Sequence, residues 1–189
     1  MAGDATNRGR YPWHEIVEGD DVEQGDIFEA CPVFVIARPI SFKEFDSTPI
    51  VATFDVLERD VIVMTQSCDL VKNNPKVQEV LLCQVWNLDE MSGESEYVHS
   101  TKGREEIRQG KHPGYHMLNA STVPDFERQI RLVDFHRVFS LPLDFLRGWA
   151  QARGPRLRLL PPYREHLGQA FARYFMRVGL PVDIPAFKK

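Results

Sequence analysis

The chain has 189 residues, a formal net charge of −4, and hydrophobic and charged fractions of 43% and 26%. These values are typical of one soluble globular domain, and the negative charge argues against bulk attraction to nucleic acid or an anionic membrane. No apolar run approaches the roughly 20 residues of a membrane helix, the N-terminus lacks a signal-peptide core, and the three widely spaced cysteines favour a reduced, cytoplasmic protein.

The first segment, 1–12, is small and polar and predicts a flexible tail, followed by a single domain over 13–189. Seven short segments are rich in β-branched or alternating apolar residues, which is the pattern of strands. In chain order they are 31–37, 50–56, 61–68, 78–88, 115–119, 129–141 and 156–160. Charged or Pro/Asn-rich segments at 57–60 and 72–75 predict turns, and 38–49 predicts a loop.

Three helices are predicted between and after these strands. The polar excursion 89–114 contains a short helical segment near 101–109, and a second helix is predicted over 143–152. The C-terminal helix, 162–178, begins after two prolines and carries an apolar stripe at three- and four-residue spacing. Its members are Leu167, Ala170, Phe171, Tyr174, Phe175 and Val178.

Consecutive strands with hairpin-like connections predict an α+β, mainly β fold. We expect a small SH3-like β-barrel or a twisted antiparallel sheet. The 89–114 excursion would be a long insertion, and the C-terminal amphipathic helix would cover one face or one end.

The segment DVIVMTQSCDL is the first candidate site, because four apolar residues lead directly into Thr65, Gln66, Ser67, Cys68 and Asp69. A catalytic thiol needs a nearby imidazolium or helix N-terminus to lower its pKa. The alternative is that Cys68 packs at a strand end while Ser67 and Asp69 cap the turn. The candidate bases for a thiol enzyme are His116 and His136, with Asp69 or Asp134 as the orienting carboxylate.

Metal and cofactor sites are not predicted. The cysteines form no C-x-x-C pair, and Pro113 and Gly114 interrupt the one close histidine pair, His112 and His116. No glycine-rich phosphate loop precedes a helix. We therefore expect no metal and no cofactor.

Arginines crowd the last third of the chain, interleaved with aromatic residues. Such a basic end is suited to phosphates, to an acidic partner protein, or to the acidic half of the chain itself. The arginines are Arg147, Arg153, Arg156, Arg158, Arg164, Arg173 and Arg177, and the aromatic residues are Trp149, Tyr163 and Tyr174.

Two sequence features together resemble a small, uncharacterised bacterial family with a QSCDL motif. They are GDIF followed by VIVMTQSCDL, and LVDFHRVFSLPLDFL followed by LLPPYREHLGQAFARYFMRVGLP. The resemblance covers about 22–180 and implies phage-defence or CRISPR-type neighbourhoods. More distantly, the GDI segment and the strand after it are similar to the SH3-like barrel of the PemK/MazF toxin ribonucleases. That likeness implies Arg38, and Thr65 or Ser67, as the nearest counterparts of the toxins' arginine and hydroxyl residue.

The leading hypothesis is a non-enzymatic, cytoplasmic bacterial accessory protein that binds another protein, in a phage-defence (antiviral) or CRISPR-associated complex. Exposed aromatic and arginine side chains often dominate protein interfaces. The expected contact surfaces are the 89–114 excursion and the residues Trp149, Arg153, Tyr163, Arg173 and Arg177. The first alternative is a PemK/MazF-like toxin endoribonuclease or RNA-binding protein, and the second is a thiol-dependent enzyme that uses Cys68.

Overall fold

The structure is a computed structural model that describes residues 11–36, 53–91 and 96–176. Arg38, Arg177, the loop predicted at 38–49 and nearly all of the predicted tail lie outside these ranges. Within them the strands are β1 (His14–Val17), β2 (Asp26–Ile36), β3 (Phe54–Val63), β4 (Glu79–Asn87), β5 (Tyr115–Leu118), β6 (Arg131–Pro142) and β7 (Arg156–Leu159). The helices are α1 (Glu96–His99), α2 (Thr101–Arg108), α3 (Leu143–Arg153) and α4 (Tyr163–Phe175).

The seven described strands form one antiparallel sheet in the order β1-β7-β2-β3-β4-β6-β5. β1 and β5 are its edges, and no described pairing joins them, so the sheet is open. The mainly β, α+β prediction is therefore confirmed at the level of an antiparallel sheet with helices. A closed SH3-like barrel is not observed. None of the described helices is long and apolar enough to cross a membrane.

Helices cover both faces of the sheet, because alternate strand residues point to opposite sides. On β3, Val61 and Val63 belong to the core that packs against α3, whereas Ile62 belongs to the core under α4. Leu146 of α3 and Leu167 of α4 are both fully buried. The C-terminal third of the chain therefore lies on two separate sides of the sheet.

A buried carboxylate joins the two ends of the chain. Asp26 at the start of β2 is fully buried and accepts a hydrogen bond from Arg156 Nε (2.9 Å) and bonds from Arg158 Nε and Nη2. The same guanidinium groups donate to backbone oxygens of the preceding loop: Arg156 Nη1 to Gly19 (2.9 Å) and Arg158 Nη2 to Asp21 (2.8 Å). β7 is thereby fixed between β1 and β2.

Two sequence predictions at β3 are corrected, and one strand, β1, was not predicted. Residues 57–60, predicted as a turn, continue β3, because they pair with β2. The strand predicted at 61–68 ends at Val63, and Ser67–Asp69 form one turn of 3₁₀ helix. No strand was predicted at β1, because His14–Val17 is short and contains both polar and apolar residues. It is a strand because β7 pairs with it.

The excursion 89–114 contains two helices, which fits the helix predicted near 101–109. The side chain of Ser100 caps α2 by accepting a hydrogen bond from the Gly103 backbone N–H (2.9 Å). Val98 and Ile107 are buried in a small core that also contains Leu132 of β6, the neighbour of the edge strand β5. The helical part of the excursion is therefore packed against the sheet, unlike the displayed loop that the sequence suggested.

The C-terminal helix follows its predicted stripe over most of its length. The ring of Phe171 lies 5.4 Å from that of Phe135, and Tyr174 lies 6.0 Å from the same ring. Phe175, at the end of α4, is 60% exposed. The stripe therefore stops packing one turn before its predicted end, and Val178 lies outside the described residues.

We predict that Asp26→Asn lowers the free energy of unfolding by about 3 kcal/mol or more, because Arg156 and Arg158 would stay buried without their counter-charge. Urea unfolding followed by circular dichroism measures the change. The matched control is Asp20→Asn, which removes an exposed ion pair with Lys72 and is expected to have little effect. Equal stability of the two variants would contradict the role assigned to Asp26.

Candidate functional site

The side chains of the polar segment after β3 contact a distant backbone group and one another. Ser67 Oγ accepts a hydrogen bond from the Gln24 backbone N–H (3.2 Å). Cys68 is exposed, and its Sγ lies 3.6 Å from Gln66 Oε1 and 3.8 Å from Asp69 Oδ1. None of the described hydrogen bonds joins this thiol to an imidazole. No side chain caps the turn at Ser67–Asp69, since Ser67 Oγ is bonded to the distant Gln24 backbone, so the described contacts show neither the expected cap nor a thiol–imidazole pair.

His136 is held by a buried carboxylate. Its Nδ1 forms a 2.8 Å hydrogen bond with Asp134 Oδ1, and Asp134 is fully buried while the His136 side chain is 48% exposed. The pair lies at a bulge of β6, where the register with β4 is interrupted. A Cβ on Gly114 would lie 2.2 Å from His136 Cε1, so the ring packs directly on that glycine. An exposed imidazole oriented by a buried carboxylate is the arrangement of a general base.

The predicted partner-binding residues do not form one surface. Trp149 and Arg153 lie on α3, with the Arg153 guanidinium 4.7 Å above the Trp149 ring. Tyr163 and Arg173 lie on α4, on the other side of the sheet, and Tyr163 stacks on Trp13 at 3.7 Å. Tyr163 is therefore engaged within the fold, and the described members of the set could not contact one partner patch together.

Three of the crowded arginines pair with the acidic half of the chain itself. Arg156 and Arg158 contact Asp26, and Arg158 Nη1 also donates to Glu23 (2.7 Å). Arg164 contacts the second oxygen of Glu23 at 3.4 Å. Of the three interpretations that the sequence left open for the basic end, contact with the chain's own acidic half is the one observed for these three residues.

An apolar surface on the β2–β3 hairpin was not anticipated. Phe34 pairs with Val56 and Ile36 pairs with Phe54, so the strand period places all four on one face. They are 50%, 58%, 54% and 55% exposed, respectively. We call these four residues the hairpin patch. Phe54 and Val56 lie in the segment predicted as a strand at 50–56, and that prediction did not indicate their exposure.

A groove rich in histidine lies between α2, β5 and α4. We call it the histidine groove, and its volume is about 310 Å³. Its basic and imidazole residues come from separate parts of the chain, and no carboxylate is among its lining residues. They are Arg108, His112, His116, His166 and Arg173. Burial, together with His166 and Arg173, lowers the pKa of His116 to about 4.

No protein-family model matches the sequence, and no curated protein is significantly similar to it. Contacts and chemistry therefore carry the functional argument. Among the described residues, no group of three or more His, Cys, Asp or Glu side chains is arranged to hold a metal ion.

A further polar cluster surrounds the buried side chain of Arg131. Arg131 is 1% exposed, and its Nη1 lies 3.3 Å from Glu29 Oε1, which also accepts a hydrogen bond from Arg128 (2.7 Å). His14 is nearby and buried, and its pKa is lowered to about 4 by burial and by the charge of Arg131. The folded protein therefore keeps the His14 ring neutral at pH values where an unfolded chain protonates it.

We predict that His14 makes stability fall as the pH is lowered from 7 to 5. The unfolded chain binds a proton near 6.5, while the folded protein resists protonation down to about 4. The linked loss is at most about 2 kcal/mol. Urea unfolding at several pH values measures it. His14→Gln should reduce the slope, Ile16→Val on the same strand should not, and an unchanged slope in His14→Gln would contradict the assignment.

Proposed function

We propose that this protein is a cytoplasmic bacterial accessory protein that acts by binding another protein, with the hairpin patch as its contact surface. The supporting observation is that four large apolar side chains are each at least half exposed on one strand face. Contiguous exposed apolar patches are uncommon on monomeric soluble proteins and often mark binding sites. Two of the four are phenylalanines, and aromatic residues are enriched at the centres of interfaces.

The position of the patch in the sheet also supports this proposal. β3 pairs with β4 only at 61–63, and β2 pairs with β7 only at 26–27. The outer part of the hairpin is therefore two-stranded among the described residues. Its edges are available for the addition of a partner strand, which is a common mode of peptide recognition.

The surroundings of the patch provide further contact area. Beside it, an open depression of about 630 Å³ is lined by Phe34, Ile36, Val138, Phe139 and other residues. The ring of Phe34 also contacts Phe145 of α3, with ring centroids 5.9 Å apart. A side chain of a partner could therefore enter the depression while its backbone lies along the hairpin.

The cellular setting of the proposal has a different basis. The described residues contain three free cysteines, Cys31, Cys68 and Cys83, and this is in keeping with a reducing compartment. A role in a phage-defence or CRISPR-associated complex rests only on the sequence resemblance, which combines the GDIF and VIVMTQSCDL segments with the C-terminal LVDFHRVFSLPLDFL and LLPPYREHLGQAFARYFMRVGLP segments. The physical claim about the hairpin patch does not depend on that setting.

We predict that the double variant Phe34→Ser, Phe54→Ser loses the partner. Affinity purification from the native host after cross-linking should recover one protein with the wild type and at least about tenfold less with the double variant. Val71→Ser is the control, because Val71 is 51% exposed but lies outside the patch. Thermal unfolding should show that all three proteins remain folded.

Two outcomes would overturn this proposal. Equal recovery of the same partner with the double variant would exclude the patch as the interface. Analytical ultracentrifugation gives the other test: if the wild type forms dimers that the double variant does not, the patch binds a second copy of this chain and not a different protein.

A PemK/MazF-like endoribonuclease is the second candidate, and the orientation of His136 by Asp134 favours it. Thr65 and Ser67, the hydroxyl residues that the PemK/MazF likeness implies, give less support to an endoribonuclease. Thr65 Oγ1 accepts a hydrogen bond from the Leu81 backbone N–H (2.8 Å), and Ser67 Oγ accepts one from Gln24. Both hydroxyl groups therefore fix backbone segments. The SH3-like barrel is proposed only as part of this candidate.

We predict that expression in a bacterial host leaves growth unchanged, because the Thr65 and Ser67 hydroxyl groups are bonded to backbone N–H groups and none of the described hydrogen bonds joins Cys68 to an imidazole. Optical density after induction measures this outcome. If expression instead arrests growth, and if His136→Ala relieves the arrest while the exposed control His99→Ala does not, then the endoribonuclease becomes the leading candidate.

A further inference from the structure

The histidine groove has two chemically different sides. On α4, His166, Gln169 and Arg173 follow one another at three- and four-residue spacing, so they share one helix face. Across the groove, Pro113 and Met117 present largely apolar surface from the β5 segment. The α4 side therefore offers hydrogen-bond donors and positive charge, and the opposite side adds the nonpolar contacts of Pro113 and Met117 beside further basic and imidazole groups.

Arg173 carries the uncompensated charge of the groove. Arg108, the other arginine in its lining, is neutralised by two hydrogen bonds to Glu105, at 2.7 and 2.6 Å. In contrast, none of the ion pairs among the described residues involves Arg173. Its guanidinium acts on His116 across the groove, where it helps to keep the ring neutral. An anion bound beside Arg173 would relieve this unfavourable electrostatic environment.

From this arrangement we propose that the histidine groove binds a nucleoside phosphate. The phosphate contacts Arg173 and His166, and the base lies against the apolar side. Guanidinium and imidazole groups are suited to phosphate oxygens, and an arginine can donate two parallel hydrogen bonds to one phosphate. A purely anionic ligand such as inorganic phosphate would leave the Pro113 and Met117 side unused.

The size of the groove limits the ligand. A volume of about 310 Å³ is at the lower end of small-molecule sites, which span roughly 300–1,000 Å³. The net charge of −4 gives the whole molecule no general attraction to a long polyanion. The site is therefore suited to one nucleotide, which could be a free nucleotide or the terminal nucleotide of an RNA strand.

Isothermal titration calorimetry tests the proposal with four probes: adenosine 5′-monophosphate, inorganic phosphate, adenosine, and a short single-stranded RNA with a 5′-phosphate. We expect adenosine 5′-monophosphate to bind more tightly than either phosphate or adenosine. Arg173→Gln and His166→Gln should each weaken its binding, Arg173→Gln by about tenfold or more. Arg173 and His166 are exposed, so these variants should remain folded.

The matched control is Arg153→Gln, since Arg153 is an exposed arginine on α3, on the opposite side of the sheet. It should bind adenosine 5′-monophosphate as the wild type does. NMR gives a second readout: addition of the nucleotide should shift the ring signals of His116 in the wild type, and much less in Arg173→Gln. Tighter binding of the RNA than of the nucleotide would identify a strand end as the source, and equal or weaker binding would identify a free nucleotide.

Three results would overturn the proposal. The first is no binding of the nucleotide or the RNA at millimolar concentrations. The second is equal affinity for adenosine and adenosine 5′-monophosphate, because the phosphate would then contribute nothing. The third is equal loss of affinity in Arg153→Gln and Arg173→Gln, because binding would then reflect total charge and not this groove.

Discussion

The buried pairing of Asp26 with Arg156 and Arg158 is the constraint on which the architecture depends. It joins β2, the first long strand, to β7, the last strand. The same guanidinium groups also hold the loop at 18–25, which connects β1 to β2. A buried carboxylate is tolerated only when its charge and lone pairs are compensated, and here two arginines supply this compensation. β1, β7 and β2 therefore form one unit although β7 is separated from the others by more than half of the chain.

This constraint also explains why the basic C-terminal third does not act as one surface. Arg156 and Arg158 are used inside the fold, and the strand that carries them separates α3 from α4. The side chains that remain accessible divide into an α3 set around Trp149 and an α4 set around Arg173. The hairpin patch and the histidine groove share no residue, so each can be tested with its own variants.

Local sequence patterns predicted the helices and strands whose formation depends on local contacts. The stripe through Leu167 and Phe171 correctly indicated α4, and the β-branched runs indicated most strands. The charged residues 57–60 read as a turn but are a strand, because pairing with β2 outweighs their intrinsic preference. The histidine groove combines three distant segments, and no local pattern of His112, His166 or Arg173 specifies that they meet. The exposure of Phe54 and Val56 likewise depends on neighbours that a single sequence does not show.

The two-stranded outer hairpin has a consequence for how this protein can change over evolutionary time. The exposed face of the hairpin contributes little to either main core. Phe34 and Ile36 on this face are half exposed, whereas the neighbouring residue Val33 lies on the opposite face and is buried. On the proposal that the hairpin patch is a contact surface, substitutions at its four residues are expected to alter recognition with little effect on folding. Lineages that meet different binding targets could diversify this one face while the Asp26 linkage and the helices on both sides of the sheet are retained.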